Sequence, residues 1–227
     1  MKRIRDIKVK NVFQLSPNMK RITFFSEDLY DFPENEDGGY VKLLFKKESS
    51  NDSLSRPYTI RSFRKKKLEL DIDFANHSGN QGYATKWASK AKVGDEISIS
   101  GPGLKKRINV NSSWFFFVGD MTALPAIACY LERIPKSSVG IVVLEIISED
   151  DKIKLIKPKN IKIEWVVKSK ENPSVLEDSV KKIKWLQGTP YIWVACEFNK
   201  MKNLRIFFQK KKKINKNEMY ISSYWKL

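Results

Sequence analysis

An arginine and a tyrosine stand two residues apart in the segment Ser55–Arg61. In an extended strand, Arg56 and Tyr58 would face one side and Thr59 the other, because side chains alternate along a strand. A guanidinium group can hold a phosphate, and a phenol ring offers a flat surface on which another ring can stack. The pattern is compatible with a nucleotide ligand, although on spacing alone an ordinary strand with a surface arginine explains it better.

A second segment, Asp71–Trp87, combines an alternating strand, a glycine-bearing loop and the start of a helix. A loop that enters a helix N-terminus can hold an anion, because unpaired N–H groups and the helix dipole point at it. One such loop is weak evidence for a site. The histidine in this loop, His77, is of a kind that is more often structural than functional.

The composition excludes several kinds of site. The 227 residues include two cysteines, Cys129 and Cys196, and a single histidine. These numbers exclude a multi-cysteine zinc site and a metal centre built from histidines. They also argue against a Ser-His-Asp triad. The hydrophobic fraction of 41% favours a folded chain over a disordered one. We expect a cytoplasmic protein without membrane insertion, because no apolar run approaches the roughly 20 residues that span a bilayer and the basic start lacks the apolar stretch of a signal peptide.

The chain is strongly basic, with 43 Lys and Arg against 26 Asp and Glu and a formal net charge of +17. A polyanion partner would explain this charge. A general bias toward lysine explains it more simply, because lysines occur in almost every segment and only Arg64–Lys67 and Lys210–Lys213 form dense runs. We favour the second explanation, with a weak electrostatic contribution to ligand capture.

The first hundred residues have the pattern of β-strands. Residues Leu68–Phe74 alternate strictly between apolar and acidic side chains, which is typical of a half-buried strand. One helix, about Ala84–Lys92, interrupts the strands, and the whole predicts a six-stranded antiparallel β-barrel. The predicted strands are Ile4–Val9, Met19–Ser26, Tyr40–Lys46, Tyr58–Phe63, Leu68–Phe74 and Glu96–Ser100.

Strands alternate with helices in the second half, which predicts a doubly wound parallel α/β domain. Thr122 is a candidate N-cap for a helix that reaches Arg133, and Ser174–Glu177 fits a capping box. The predicted domains are a barrel at 1–104 and an α/β domain at 105–227. The predicted strands are Trp114–Val118, Gly140–Ile147, Ile161–Val167, Pro190–Ala195 and Met219–Tyr224. Ligands of such sheets bind at the carboxyl ends of the strands, here the turns Gly119–Thr122 and Ala195–Glu197.

Together these segments resemble the siderophore-interacting proteins, which are FAD-containing ferric-siderophore reductases of the ferredoxin-reductase-like class. The resemblance runs from about Asp6 to Lys226. Each motif is loose by itself, but their order along the chain is specific. The motifs are Tyr40–Phe45, Arg56–Arg61, Asp71–Trp87, Gly94–Pro102, Gly119–Ala126, Trp193–Glu197 and Tyr224–Lys226.

The resemblance implies an FAD site without a protein metal ligand, in which the flavin does the chemistry. Arg56 would bind the FAD pyrophosphate, and Tyr58 would stack on the isoalloxazine ring. The other residues implied to contact FAD are Thr59 and Ile60 at the polar edge of the ring, Asp73, Phe74 and His77 along the flavin, ribityl or adenine side, Gly82, Ala84 and Thr85 at the helix start, and Thr122 from the second domain.

The resemblance also implies the electron path. Electrons would pass from NAD(P)H or reduced ferredoxin through FAD to Fe(III) in a siderophore, releasing Fe(II) for iron assimilation. Gly119, Asp120 and Glu197 would lie on the NAD(P)H or donor side. The anionic siderophore would be held by Lys46, Lys47 and Lys226. We expect a monomer without a specific nucleic-acid partner.

Three positions depart from the usual family pattern: Met121 replaces Glu, Cys196 replaces Gly and Tyr83 replaces Pro. A side chain at Cys196 could narrow a nicotinamide slot, which makes ferredoxin a serious alternative donor. A generic flavin oxidoreductase, or an electron-transfer protein with a non-iron acceptor, would share every FAD residue and stays open. A basic nucleic-acid-binding protein is less favoured, because the chain lacks zinc-finger, RNP-like and helix-turn-helix patterns.

Overall fold

The computed structural model describes residues 3–46, 53–76, 82–103 and 108–226. The chain divides into two units, Met1–Lys106 and Arg107–Leu227. Each unit has its own hydrophobic core. In the described ranges, no helix is both long enough and apolar enough to cross a bilayer.

The first unit is an antiparallel sheet of seven strands. These are β1 (Ile4–Ser16), β2 (Met19–Phe25), β3 (Tyr40–Lys46), β4 (Ser53–Thr59), β5 (Ser62–Arg64), β6 (Glu69–Ala75) and β7 (Glu96–Ser100), and helix α1 (Tyr83–Lys90) follows β6. Their order across the sheet is β4-β3-β7-β1-β2-β6-β5. The edge strands β4 and β5 are consecutive in sequence, so Ile60 and Arg61 carry the chain from one edge of the sheet to the other.

The predicted antiparallel architecture is confirmed, with one more strand than the six expected. The predicted strand Tyr58–Phe63 is divided between two pairings. Strand β4 pairs with β3, and β5 pairs with β6. Between them, the Arg61 N–H group donates to the Asp71 carbonyl oxygen at 2.9 Å, which attaches the crossing segment to β6.

Strand β6 alternates as predicted, but both of its faces are buried rather than one. One face joins the apolar core, and the other carries Glu69, Asp71 and Asp73. Arg64 pairs with Glu69 and Asp71, and Arg21 holds Asp73 through two hydrogen bonds of 2.6 and 2.8 Å. Basic side chains of neighbouring strands therefore cover the acidic face that the alternation alone would leave in solvent.

The second unit is a parallel five-stranded sheet of the predicted doubly wound type. Its elements are β8 (Trp114–Asp120), α2 (Leu124–Arg133), β9 (Gly140–Ile146), β10 (Ile161–Val167), α3 (Val175–Lys182), β11 (Pro190–Glu197), α4 (Phe198–Ile206) and β12 (Met219–Trp225). The strand order is β10-β9-β8-β11-β12. The order reverses direction between β8 and β11, and the crevice at such a point is the usual ligand position of an open α/β sheet.

The apolar run of β8 is explained by helices on both faces of the sheet. Phe116 and Val118 pack in the layer that α3 and α4 cover. Phe117 faces the other way, where its ring stacks on Tyr130 of α2 with centroids 6.2 Å apart. A strand covered on both faces has no polar alternation, which is why the run is unbroken.

Two predicted helix caps are wrong. The N-cap position of α2 is Ala123, and the Thr122 hydroxyl group donates to Asp120 instead. Helix α3 begins after Ser174 as predicted, but no side chain caps it. The Glu177 carboxylate, which the capping box requires, is buried and accepts a hydrogen bond from Asn203 of α4 at 3.3 Å. Thr122 thus bonds within its own turn, to Asp120 two residues before it, whereas Glu177 has a tertiary partner.

Candidate functional site

Strand β4 places Arg56 and Tyr58 beside the start of α1. The Tyr58 ring lies against Phe74 with centroids 4.6 Å apart, and its hydroxyl group makes a hydrogen bond with the Thr85 side chain. Burial raises the pKa of Tyr58 to about 12, and the Thr85 hydrogen bond and the nearby Arg56 charge oppose that rise. The structure thus brings together three of the predicted FAD residues, Arg56, Tyr58 and Thr85.

Arg56 is exposed and weakly engaged by the described part of the chain. Its guanidinium group donates to the carbonyl oxygen of its neighbour Ser55 at 3.0 Å. A guanidinium group has five N–H donors, so most of its hydrogen-bonding capacity is available to a ligand. The position suits an anion such as a diphosphate.

The start of α1 is an open cradle. Gly82 occupies the N-cap position with extended backbone, and no side chain of the described residues caps the helix. Within the part of the chain that the structure describes, a Cβ atom added to Gly82 would meet no heavy atom within 4 Å. Because the first N–H groups of a helix have no partner within it, a helix start without a cap from the described residues fits an anionic ligand.

The remaining barrel residues of the prediction have different places. Thr59, Ile60, Phe74 and Ala84 are buried, so their side chains mainly support the cradle. Asp73 lies on the opposite face of β6 from Phe74, and Arg21 occupies both of its oxygens. A contact between the Asp73 side chain and a flavin therefore stays an untested prediction that the ion pair does not favour.

Two predicted residues, His77 and Lys47, lie outside the described residues. Lys46 ends strand β3. The third predicted substrate lysine, Lys226, is exposed, and its ammonium group lies 5.4 Å from the centre of the Phe198 ring, at the carboxyl edge of the second unit.

Asp120 joins three segments at the carboxyl edge of the parallel sheet. Its Oδ1 accepts hydrogen bonds from the Thr122 N–H group at 2.9 Å and from the Thr122 hydroxyl at 2.5 Å. Its Oδ2 accepts from the Glu197 N–H group at 3.0 Å and from Trp225 Nε1 at 2.8 Å. The carboxylate thus fastens the turn after β8 to the ends of β11 and β12, and it acts as a positioning residue.

One carboxylate oxygen of Glu197 accepts hydrogen bonds that cap a helix, and the other accepts none from the described residues. Its Oε2 caps α4 by accepting from the N–H groups of Asn199 and Lys200 at 2.6 and 3.2 Å. Its Oε1 is buried and has no hydrogen-bond partner among the described residues, although only 4% of the residue is exposed. A buried acceptor without a partner is costly, so a donor from a ligand would stabilise this position.

A buried ion pair beside Asp120 was not predicted. Lys200, in the first turn of α4, pairs with Glu145 at the end of β9. Glu145 is the neighbour of Asp120 across the two strands. Burial raises the pKa of Glu145, and the Lys200 ammonium group opposes that rise. The sequence holds no local signal for this pair, because its members are far apart along the chain.

Two of the positions that depart from the usual family pattern, Cys196 and Met121, have buried side chains. Cys196 is fully buried in the layer under α3 and α4, and burial raises the pKa of its thiol. Met121 is also buried. The idea that the Cys196 side chain narrows an open slot is therefore wrong, because the side chain packs inside the core.

Gly119 has a packing role in the second unit. A Cβ atom added here would lie 2.6 Å from the Ala123 Cβ and 3.1 Å from the Ala195 carbonyl oxygen. The glycine thus allows the start of α2 to approach β8 closely. This requirement alone explains the residue, so a direct donor contact stays a prediction.

Comparison with known proteins agrees with both units. Residues 112–227 match the siderophore-interacting protein family, and residues 8–55 and 46–106 match the siderophore-interacting FAD-binding domain. The ferric vibriobactin reductase ViuB of Vibrio cholerae is 30% identical over 93% of this chain and 85% of its own. The NADPH-dependent ferric-chelate reductase of Escherichia coli is 24% identical over 98% of this chain and 93% of its own.

Solved structures agree as well. The siderophore-interacting protein SipS from Aeromonas hydrophila has a TM-score of 0.89 and 30% identity, and the match covers 99% of this chain and 92% of that one. An antiparallel FAD-binding unit followed along the chain by a parallel α/β unit is the ferredoxin-reductase-like fold. From the family matches over both units and the identity to ViuB, the chain belongs to the siderophore-interacting protein family.

Proposed function

We propose that this protein is an FAD-dependent reductase of ferric siderophores. It takes electrons from NAD(P)H or reduced ferredoxin, passes them to Fe(III) in the siderophore and releases Fe(II). The observation that carries the proposal is the cradle of Arg56, Tyr58 and the uncapped start of α1, in a chain of a siderophore-interacting family. The reactions in the names of ViuB and the Escherichia coli relative support the same class of chemistry.

The residues of the cradle fit FAD. Arg56 and the N–H groups at the start of α1 would hold the diphosphate, because both offer donors to an anion. Phe74 and Thr85 fix the Tyr58 ring from two sides, so Tyr58 would present a preset flat face to a flavin ring. Bound FAD would supply the redox chemistry that links a two-electron donor to a one-electron acceptor.

Fe(III) in its siderophore is the substrate. Siderophores bind iron through hard oxygen ligands, which suit the higher charge of Fe(III), so reduction weakens the chelate. Lys46, Lys47 and Lys226 are the proposed side chains that attract the anionic chelate, and their effect on its association should weaken with added salt.

A nicotinamide is the favoured donor. The buried Cys196 removes the sequence-based argument against a nicotinamide slot, and the NADPH-dependent relative supports this donor. Glu197 would offer its unpaired Oε1 to a donor group of the ligand. Asp120 would hold the surrounding turns in position, since Thr122, Glu197 and Trp225 already occupy its oxygens. The monomeric state and the cytoplasmic location stay predictions of the sequence.

The direct test is steady-state reduction of one ferric siderophore with NADH, NADPH and reduced ferredoxin in parallel, with Fe(II) trapped by a chromogenic chelator. We expect FAD-dependent formation of Fe(II) with a nicotinamide. The gallium(III) form of the same siderophore, which is not reduced, controls for futile oxidation of the donor. A protein that reduces dyes but no ferric chelate would instead be the generic flavin oxidoreductase, and a protein that takes up no FAD would refute the proposal.

Two glycine variants separate ligand binding from folding. Gly82→Ala should change the free energy of unfolding by about 1 kcal/mol or less, because its Cβ meets none of the described residues, yet it should weaken FAD binding by filling the cradle. Gly119→Ala should destabilise the protein by about 1–3 kcal/mol, because its Cβ overlaps Ala123. FAD titration and denaturant unfolding measure the two effects. Unchanged FAD affinity in Gly82→Ala would contradict the position of the diphosphate.

A further inference from the structure

The two dense basic runs of the chain have different surroundings. In the first, Arg64 pairs with Glu69 and Asp71, and Lys65 donates to the carbonyl oxygen of Tyr30. Two of the four basic side chains of the first run are thus used by the fold of the barrel, whereas Lys66 and Lys67 are exposed. In the second run, Lys210–Lys213, no carboxylate of the described residues forms an ion pair with any of the four lysines.

The second run lies on a larger basic surface. Helix α4 continues into a π-helical turn, Phe207–Lys211, which bears the first lysines of the run. Lys181 and Lys182 end the neighbouring helix α3, and Lys184 follows them; all three are exposed. We call Lys181, Lys182, Lys184 and Lys210–Lys213 the lysine surface.

Few acidic groups oppose the lysine surface. Asp178 is paired with Lys181 at 3.3 Å, and Glu177 of the same helix is buried. Glu218, after the run, accepts from the Asn215 N–H group at 3.3 Å in a turn of its own. Six of the seven lysines are exposed, Lys212 is half-buried, and the seven have one carboxylate partner among the described residues.

Apolar side chains lie between the lysines. A groove of about 640 Å³ separates α3 from the end of α4, and Ile206, Phe207, Lys181 and Lys211 contribute to its lining. Ile206 is 45% exposed. The Lys212 ammonium group lies 4.5 Å from the centre of the Trp185 ring. The surface thus combines positive charges with accessible apolar groups.

This surface lies at the end of the second unit that is remote from its candidate ligand edge. Helices α3 and α4 run back across the sheet, so their C-terminal ends lie near the starts of β11 and β12. Asp120 and Glu197 lie at the opposite, carboxyl ends of the strands. A strand of seven or eight residues is about 25 Å long, at a rise of about 3.3 Å per residue. The lysine surface is therefore too far from that edge to take part in its chemistry.

We propose that the lysine surface attaches the protein peripherally to a phospholipid bilayer with anionic headgroups. Clustered lysines near such a bilayer each contribute to binding without requiring a fixed partner geometry. The exposed Ile206 and the groove suit the boundary between headgroups and acyl chains. A nucleic acid is less suited, because the surface has no arginine for bidentate phosphate contacts and Lys212 lies over the Trp185 ring.

Co-sedimentation of the FAD-loaded protein with vesicles tests the proposal. We expect binding to phosphatidylcholine vesicles that contain phosphatidylglycerol, little binding to pure phosphatidylcholine, and release by salt. The triple variant Lys210→Glu, Lys211→Glu and Lys213→Glu should bind the anionic vesicles on the order of 100-fold more weakly.

The matched control changes three exposed lysines of the strand β10 region, as Lys162→Glu, Lys168→Glu and Lys170→Glu. It alters the net charge by the same amount and should keep most of the binding. Equal loss in both triple variants would show that only net charge acts, and would overturn the proposal. The proposal would also be overturned if the protein did not bind vesicles, or if it bound equally well whatever their lipid composition. It would be overturned as well if duplex DNA displaced the protein from vesicles at a lower concentration than free anionic lipid does. Circular dichroism and flavin content verify that the variants are folded.

Discussion

The Arg56→Ala protein is expected to purify without the yellow colour of bound flavin. A charge-assisted hydrogen bond contributes about 1.5–3 kcal/mol, so FAD binding should weaken by roughly 10-fold to 100-fold. The fold should lose little, because the exposed guanidinium group donates to the carbonyl oxygen of its own neighbour Ser55. The measurements are the flavin absorbance of the purified protein and the Kd for added FAD.

Matched variants separate charge, geometry and ring stacking. Arg56→Lys keeps the charge but loses the planar fork, and it should fall between wild type and Arg56→Ala. Lys8→Ala removes an exposed cation that pairs with Glu96, and it should retain normal flavin content. Tyr58→Ala should lose flavin, whereas Tyr58→Phe keeps the ring on Phe74 and loses only the Thr85 hydrogen bond. Normal flavin content in both alanine variants would remove the cradle as the FAD site.

Asp120→Asn is expected to destabilise the second unit by about 2–4 kcal/mol and to lower Tm by about 10 °C. Four donor groups point at the carboxylate: two from Thr122, the Glu197 N–H group and Trp225 Nε1. An amide keeps one acceptor oxygen and places an NH₂ group where the other oxygen was, so some buried donors lose their partner. Thermal unfolding of the FAD-free protein, followed by circular dichroism, measures the effect.

Two further variants test whether the network itself is responsible. Asp150→Asn changes an exposed acid and should leave Tm within a few degrees of wild type. Trp225→Phe removes one of the four donors and should cost less than Asp120→Asn. An Asp120→Asn protein with unchanged Tm but lost nicotinamide binding would instead support the direct donor-side role that the family resemblance implies.

The fold was predicted well where burial of apolar side chains alone determines the local structure. The acidic and apolar alternation in Leu68–Phe74 predicted a strand, and the apolar run at Trp114 predicted a strand between two layers. In each case burial of apolar side chains decides the structure, and burial leaves a period in the sequence. The strand at Tyr58 was predicted less well, because the prediction Tyr58–Phe63 left out Arg56, which the structure places with Tyr58 on β4.

The features that could not be predicted depend on partners remote in sequence. Arg21 lies 52 residues before its partner Asp73, and Trp225 lies 105 residues after Asp120. Nothing local marks either pair. The same cause explains one of the wrong caps, because Glu177 bonds to Asn203, which lies 26 residues after it. The other wrong cap has a local cause, because the Thr122 hydroxyl group bonds to Asp120, two residues before it, instead of capping the helix.

The pairing of β1 with two strands has a consequence for synthesis on the ribosome. Its second half pairs with β2, the next strand to emerge, so this hairpin can form early. Its first half pairs with β7, and Ile4 must wait for Ser100. A nascent chain therefore exposes an unpaired strand edge for most of the time that the barrel is being made, which is an aggregation risk that chaperones counter.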